Sequence, residues 1–245
     1  MRLSSNTILI TGGSSGIGFA LAERFSKAGS EVIICGRDEA KLKNVKKKLP
    51  KIVTFRCDLS IETDRIALYE NIVKDFPGLN VLVNNAGIQQ RVNFDRGAKW
   101  SYIKQEIEIN LSAQIHLTAL FIPVLKKTKE PVIINITSGL AFAPLANVPV
   151  YCSTKAAFHS FTLSLRHQLA QSPVKVIEII PPAVQTDLGG KGLHDFGTPL
   201  NEFGNAVFKE LEQGKEEITY GYTTRSSRAS RDEIDELFKQ MNNRY

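Results

Sequence analysis

Short runs of apolar residues alternate along the chain with longer segments in which apolar residues recur every three or four positions. The apolar runs cover residues 7–11, 31–35, 52–57, 79–83, 132–136 and 174–180. In the segments between them, spacing such as that of Ile17, Leu21 and Phe25 predicts helices. Strands that are apolar on both faces and separated by helices predict a parallel sheet covered by helices on both sides. We therefore expect an α/β fold with a doubly wound parallel sheet and right-handed crossovers.

Further elements follow the same logic in the second half of the chain. A long helix is predicted over 100–127, with Pro123 near its end, and others over 153–170 and 205–213. Residues 218–220 are predicted to add a last strand. Ser230 and Glu233 have the spacing of a capping box, in which each side chain satisfies a backbone N–H at a helix start. This motif predicts a C-terminal helix near 231–241.

The composition is typical of one folded domain. The chain has 245 residues, 42% of them hydrophobic, and no linker-like stretch interrupts it, so we expect a single domain over 1–245. No apolar run has the length of a signal-peptide core or a membrane span. Cys35, Cys57 and Cys152 show no paired spacing, which is typical of reduced thiols. These features predict a cytoplasmic protein without membrane insertion.

The net charge of +6 does not by itself indicate a nucleic-acid partner. The lysine cluster over 41–48 interleaves with Leu42, Val45 and Leu49 at helical spacing, which favours a solvated outer helix face. It has no aromatic stacking groups, so no nucleic-acid binding is expected. The histidines lack metal-ligand spacing such as His-Glu-x-x-His, and we predict no metal site. They are His116, His159, His167 and His194.

A glycine-rich turn follows the first strand and opens the first helix, over residues 11–18 (TGGSSGIG). Glycines let the backbone turn sharply and approach a pyrophosphate, whose charge is attracted to the N–H groups and dipole at the helix start. The spacing differs from the Gly-x-x-x-x-Gly-Lys-Ser/Thr loop of nucleoside triphosphatases. A plain tight turn is the alternative for such a motif on its own. Its place after the first strand favours a Rossmann-like dinucleotide site, with candidate contacts at Gly12, Ser14, Ser15, Gly16, Ile17 and Gly18.

Arg37, at the end of the second strand, indicates which dinucleotide binds. Folds that use NAD(H) commonly have an acidic residue there, which accepts hydrogen bonds from the adenosine ribose. An arginine can instead pair with a ribose 2′-phosphate through its planar guanidinium group. We therefore expect NADP(H) rather than NAD(H). The alternative is that Arg37 is a surface residue paired with Asp38.

More motifs follow the later strands in a fixed order. They are Asp58 after the third strand, Asn84-Asn85-Ala86-Gly87 after the fourth, Asn110 in the long helix, Ser138 after the fifth strand, and Tyr151-x-x-x-Lys155. In this order, and from about residue 4 to residue 188, the chain resembles the short-chain dehydrogenase/reductase family.

This resemblance implies a set of cofactor contacts. Asp58 is expected to hydrogen-bond the adenine, and the segment around Asn85 to flank the cofactor. Val184 and Thr186 are expected to contact the nicotinamide end. The resemblance also implies a homodimer or homotetramer joined through the long helices.

Tyr151 and Lys155 have the chemistry that carbonyl reduction requires. While hydride moves from the nicotinamide to carbon, an acid must supply a proton to oxygen. Tyr151 is the candidate acid, and Lys155, one helical turn further on, favours its phenolate form. The resemblance implies that Lys155 and Tyr151 also contact the cofactor, that Ser138 bonds the substrate oxygen, and that Asn110 anchors a water-linked proton relay. We predict hydride transfer between NADP(H) and a small-molecule carbonyl or alcohol.

Each motif taken alone has a simpler interpretation. Tyr-x-x-x-Lys is common on helices, and a serine after a strand is usually a turn residue. No histidine or asparagine arrangement supports Cys152 as a nucleophile, so it is interpreted as a small packing residue. The alternative function is a cofactor-binding sensor without turnover. The complete set of Asn110, Ser138, Tyr151 and Lys155 favours the enzyme.

The chain also departs from the family pattern. Pro182 stands where the family usually has glycine after Pro181, which stiffens that loop. The segment near 188–214 is where the family has a mobile substrate lid, and its sequence does not indicate a substrate. The runs 181–188 and 227–233 resemble the DltE-like subgroup of bacterial oxidoreductases.

Overall fold

A computed structural model of the chain, which describes residues 1–243, contains one parallel sheet of seven strands. The strands are β1 (Thr7–Thr11), β2 (Glu31–Gly36), β3 (Val53–Arg56), β4 (Val81–Asn84), β5 (Val132–Ile136), β6 (Lys175–Ile180) and β7 (Glu217–Thr219). Along the sheet the order is β3-β2-β1-β4-β5-β6-β7, so the order reverses between β1 and β4. This confirms the predicted doubly wound fold, and in such folds ligands bind at the carboxyl ends of the strands beside the reversal point.

Helices cover both faces of the sheet. Successive strand residues point to opposite faces, so Ile8 and Ile10 belong to the buried cluster on one face and Leu9 to that on the other. The helices are α1 (Gly16–Lys27), α2 (Glu39–Lys48), α3 (Glu62–Asp75), α4 (Trp100–Ile107), α5 (Ala113–Leu125), α6 (Pro149–Gln168), α7 (Leu200–Glu212), α8 (Thr223–Ser226) and α9 (Arg231–Asn242). Both sheet faces are therefore buried, as the apolar strands predict.

The long helix predicted over 100–127 is interrupted by one wide turn. A π-helical segment, Glu108–Ser112, joins α4 to α5, and Asn110 lies in it. Apolar periodicity does not reveal a π turn, which is often found at functional sites. By length and composition alone, Trp100–Leu125 is apolar enough to cross a membrane. Its apolar character has a local cause, because Leu117, Phe121 and Leu125 are fully buried in the core beside the sheet.

Two predicted helix starts were wrong by several residues. Helix α6 begins at Pro149 rather than at 153, because proline is favoured in the first turn, where its missing N–H costs nothing. Tyr151 and Lys155 therefore lie on one helix. Helix α7 begins at Leu200 rather than at 205, so the second half of segment 188–214 is helical, with Phe203 buried in the core.

The C-terminal helix is confirmed together with its cap. The Ser230 side chain accepts from the Glu233 backbone N–H, and the Glu233 carboxylate accepts from the Ser230 N–H at 2.8 Å. At the other end of α9, Asn242 Oδ1 accepts from Ala146 N–H at 2.6 Å, and its Nδ2 donates to Pro144 O at 3.1 Å. These bonds attach the C-terminal helix to the loop that leads into α6.

Candidate active site

The glycine-rich loop connects β1 to α1 in a conformation that requires glycine. Gly12 and Gly16 have φ angles of +63° and +53°, in the left-handed region that other residues rarely adopt. A Cβ on Gly18 would lie 2.4 Å from Asn85 Nδ2, and one on Gly13 2.4 Å from Ile34 Cγ2. The missing side chains therefore let the loop pack against Asn85 and Ile34 at the positive end of the α1 dipole. The first turn of α1 contains no acidic side chain that would repel an anion.

Asn85 braces this loop against the end of β4. Its Nδ2 donates to Thr11 O at 2.8 Å, and its backbone N–H donates to Thr11 Oγ1 at 2.9 Å. The Ala86 N–H also donates to Thr11 Oγ1, at 3.0 Å. The sequence marked Thr11 only as the start of the loop, because its contacts come from residues more than 70 positions away. Asn85 thus lies beside the loop, with its amide group occupied by the loop backbone.

Thr186 lies over the other side of the loop. Its Cγ2 is 3.3 Å from where a Cβ on Gly16 would stand. Val184 is buried and forms an isolated parallel bridge with Thr198. The segment after β6 is thereby held near the start of α1.

Arg37 and Asp58 meet at the carboxyl ends of β2 and β3. Asp38 does not pair with Arg37 within residues 1–243, because it caps α2 by accepting from Lys41 N–H at 3.0 Å. Burial raises the pKa of the Asp58 carboxyl, but two hydrogen bonds from Ser60 and the charges of Arg37 and Arg56 outweigh it. The net pKa lies below the usual value. The exposed Arg37 guanidinium therefore lies close to Asp58 and forms no ion pair with Asp38 within the described residues.

Tyr151 and Ser138 lie together where β5 ends and α6 begins. The Tyr151 side chain is buried, with 6% of its surface exposed. Burial raises the pKa of the phenol well above its usual value, while hydrogen bonding with Ser138 acts in the opposite direction. Ser138 also accepts from Leu140 N–H at 3.1 Å through its Oγ, which fixes its rotamer.

The Lys155 ammonium group lies below the Tyr151 ring. Its Nζ is 5.7 Å from the ring centroid and donates to Ile136 O at 2.7 Å. Burial lowers the pKa of Lys155 to about 8, and the negative charge of Glu178 opposes that shift. An ammonium at this distance favours the ionised phenol electrostatically.

Asn110 completes this cluster from the π turn. Its Oδ1 accepts from Ile88 N–H at 2.8 Å and its Nδ2 donates to Ile88 O at 2.8 Å. A Cβ on Gly87 would lie 3.4 Å from Asn110 Oδ1 and 3.9 Å from Lys155 Nζ. The predicted residues Asn110, Ser138, Tyr151 and Lys155 therefore converge at the carboxyl ends of β4 and β5, next to the strand-order reversal.

A model of the short chain dehydrogenase family matches residues 6–195 of the chain. The chain belongs to the short-chain dehydrogenase family. It is 49% identical over 248 aligned residues to the uncharacterized oxidoreductase DltE of Bacillus subtilis strain 168, an alignment that covers 99% of this chain and 98% of the relative. This confirms the resemblance to the DltE-like subgroup of oxidoreductases.

Two solved members of the family share its fold. A short-chain dehydrogenase from Sphingobium yanoikuyae in complex with NADPH has a TM-score of 0.80 at 26% identity, covering 88% of this chain and 87% of that structure. A 3-ketoacyl-(acyl-carrier-protein) reductase from Brucella melitensis complexed with NADH has a TM-score of 0.80 at 27% identity, covering 89% and 97%. One structure contains NADPH and the other NADH, so the likeness does not distinguish between these cofactors.

Two polar residues of this short-chain dehydrogenase site were missed by the sequence analysis. The first is Glu106, which lies one turn before Asn110 and is fully buried. Its Oε1 accepts a hydrogen bond from Gln90 N–H at 3.0 Å. Among the described residues, its Oε2 has no hydrogen-bond partner. Burial raises the pKa of Glu106 to about 7, against that hydrogen bond. The second is Tyr222, which is 45% exposed and whose hydroxyl lies 2.9 Å from where a Cβ on Gly139 would stand. A polar position on the buried face of the predicted helix was the available signal for Glu106.

Among the described residues, the cysteines and histidines form neither a metal site nor a second catalytic group. Cys35, Cys57 and Cys152 are free and buried, and the Cys152 thiol contacts the Leu145 backbone. Burial raises the pKa of Cys152, which disfavours the reactive thiolate. Across residues 1–243, no three His, Cys, Asp or Glu side chains form a cluster able to hold a metal ion.

Proposed function

We propose that the protein is an NADP(H)-dependent oxidoreductase that interconverts a carbonyl and an alcohol. The observation that carries this proposal is the grouping of Tyr151, Ser138 and Lys155 beside an open glycine loop at the strand-order reversal. The loop fits a dinucleotide, because it opens the N-terminus of α1, whose first turn has no acidic side chain that would repel a pyrophosphate. We assign the pyrophosphate to the residues between Gly12 and Gly18, Asp58 to the adenine, and Val184 and Thr186 to the nicotinamide end.

The nicotinamide, when bound, supplies or accepts the hydride. In the reductive direction Tyr151 donates its phenolic proton to the substrate oxygen, and Ser138 holds that oxygen by a hydrogen bond. Lys155 stabilises the phenolate that results, since its ammonium lies one helical turn away in a buried site. In the oxidative direction the same phenolate removes the proton from the alcohol.

Asn110 connects this chemistry to proton supply. The π turn carries its side chain to Ile88 and leaves the helix backbone locally widened beside Lys155. We assign to this place the water-linked relay that returns a proton to Tyr151 through Lys155. The buried Tyr151 needs such a path, because only 6% of its side chain reaches the surface.

The preference for NADP(H) rests on Arg37. Its guanidinium is exposed at the end of β2, and Ser14 Oγ lies 3.5 Å from where a Cβ on Gly36 would stand. An anionic 2′-phosphate between Arg37 and Ser14 would accept one hydrogen bond from the charged guanidinium and another from the uncharged hydroxyl. NAD(H) offers no such group to the arginine.

Expectations about the substrate, the lid, the oligomeric state and the cellular location accompany this proposal. The substrate is a small molecule, segment 188–199 acts as its lid, and the long helices join a homodimer or homotetramer in the cytoplasm. A sensor without turnover is the second candidate, yet a sensor has no use for a buried acid aligned with a lysine. The lysine helix α2 has Leu42 and Val45 on its buried side, so its lysines belong to the solvated outer face of a helix.

Oxidation of NADPH, followed by absorbance across a panel of aldehydes and ketones, tests the proposal. We expect turnover of at least one carbonyl class, and NADPH fluorescence that changes on titration with the protein. The sensor would be favoured if NADPH bound but the protein neither reduced any carbonyl nor oxidised any of the matching alcohols. Failure to bind either dinucleotide would exclude both functions.

A further inference from the structure

Three polar side chains form a row across the sheet beneath the catalytic group. The strand registers align Asn84 with Asn135 and Asn135 with Glu178, and all three are buried. Asn84 Nδ2 donates to Asn135 Oδ1 at 2.9 Å, and Asn135 Nδ2 donates to Thr162 Oγ1 of α6 at 2.9 Å. The two amides thus bond to each other and to the helix. Glu178 ends the row as its one carboxyl group.

Two donors hold the Glu178 carboxylate. Thr137 Oγ1 donates to Oε1 at 2.7 Å, and His159 Nδ1 lies 2.8 Å from Oε1 and 3.0 Å from Oε2. A carboxylate only accepts hydrogen bonds, so the His159 Nδ1 carries the proton in this pair. Because Glu178 is fully buried, its charge depends on such partners.

Lys155 shares this environment without touching a carboxylate. Its ammonium donates to Ile136 O at 2.7 Å, and within the described residues it forms no salt bridge. Tyr151, Lys155 and His159 follow at intervals of four residues on α6, so their side chains share one helix face. The charge of Glu178 therefore reaches Lys155 across the same face that holds His159.

Among the described residues, the carboxylate next to Glu178 in the sheet already has a cationic partner. Glu217 of β7 is its partner in the strand register, but it is partly exposed and pairs with Arg228 at 3.5 Å. The strand on the other side, β5, presents the neutral Asn135 and Thr137. Glu178 is thus the carboxylate whose charge acts on Lys155.

We propose that Glu178 is a positioning residue that keeps the buried Lys155 ammonium charged, and that His159 and Thr137 hold its carboxylate in place for this purpose. The proposal rests on the function assigned to Lys155 above. Without the Glu178 charge, desolvation would favour neutral lysine, which neither stabilises the Tyr151 phenolate nor attracts the cofactor.

Glu178→Gln tests this proposal with little change in volume. Titration of the Lys155 ¹³Cε NMR signal, assigned by its absence in Lys155→Met, measures the charge without requiring turnover. In the wild type the signal should titrate near pH 8, and in Glu178→Gln it should move down by about one pH unit, the scale of one neighbouring charge. The loss of NADPH oxidation in Glu178→Gln should also be larger at pH 8 than at pH 6. An unmoved Lys155 titration would overturn the proposal even if the enzyme is active.

Glu217→Gln is the matched control, because it removes a carboxylate from the adjacent strand that already has Arg228 as partner. It should leave the Lys155 signal in place, and an equal shift in both variants would contradict a specific role for Glu178. Should Glu178→Gln fail to fold, Glu178→Asp retains the charge but withdraws it by one methylene. A downward shift of less than one pH unit is expected there, because the charge is retained, and a shift of one unit or more would contradict the charge as the cause. Absence of carbonyl turnover together with the expected NMR shift would instead count against the proposed function alone.

Discussion

Asn110 bonds to both sides of Ile88, accepting from its N–H and donating to its carbonyl oxygen, each at 2.8 Å. This pairing joins the π turn to the segment that leaves β4 toward the active site. Because Asn110 is fully buried, an apolar replacement would leave both backbone groups unsatisfied. We expect Asn110→Leu to lower the free energy of unfolding by about 2–4 kcal/mol, measured by urea denaturation.

Asn110→Asp separates the two bonds of this pair. It keeps the acceptor for the Ile88 N–H but loses the donor to Ile88 O and to Thr154 Oγ1. Its stability should fall below that of the wild type. Asn93→Ala, at an exposed turn, is the control and should change stability by less than about 1 kcal/mol. Equal stability of wild type and Asn110→Leu would show that the Ile88 contacts contribute nothing.

Glu106→Gln should become more stable than the wild type as the pH rises. Burial raises the pKa of Glu106 from 4.5 to about 7, so between these values the folded protein binds more protons than the unfolded chain. The stability of the wild type therefore falls as the pH rises through this window, and glutamine removes that loss while keeping the acceptor for Gln90 N–H. Urea unfolding at pH 5 and pH 8 measures the difference.

The exposed Glu62, in the first turn of α3, provides the control for this experiment. Glu62→Gln should show nearly the same difference from the wild type at both pH values. If the stability gap between Glu106→Gln and the wild type were also constant with pH, the carboxyl group of Glu106 would not titrate in this range.

Arg37→Ala should weaken NADPH binding by about ten- to a hundredfold and leave NADH binding nearly unchanged. A charged hydrogen bond to phosphate contributes about 1.5–3 kcal/mol, and NADH lacks that phosphate. Fluorescence titration with each dinucleotide measures both affinities. Lys43→Ala, on the exposed face of α2 and paired with Glu39, should bind both like the wild type. Equal losses for NADPH and NADH in Arg37→Ala would show that Arg37 does not recognise the 2′-phosphate.

The sequence was sufficient for the order of strands and helices, because most strands are apolar runs and most helices have apolar residues at every third or fourth position. It failed at α6, where Pro149 starts the helix and the apolar residues before Ser153 looked like loop. It also missed the π turn, since one extra residue per turn leaves no compositional trace. The burial and raised pKa of Glu106 depend on contacts with distant segments, here Gln90 and the face of α6. No local sequence pattern encodes such contacts.

Tyr151→Phe tests the central claim most directly. The variant removes one hydroxyl from the site and leaves the ring against Lys155, so NADPH should still bind with wild-type affinity by fluorescence titration. In a single-turnover experiment with a carbonyl that the wild type reduces, we expect the rate of NADPH oxidation to fall by about 100-fold or more, because proton transfer by a positioned acid contributes that much. Equal single-turnover rates in Tyr151→Phe and the wild type would contradict the assignment of Tyr151 as the proton donor.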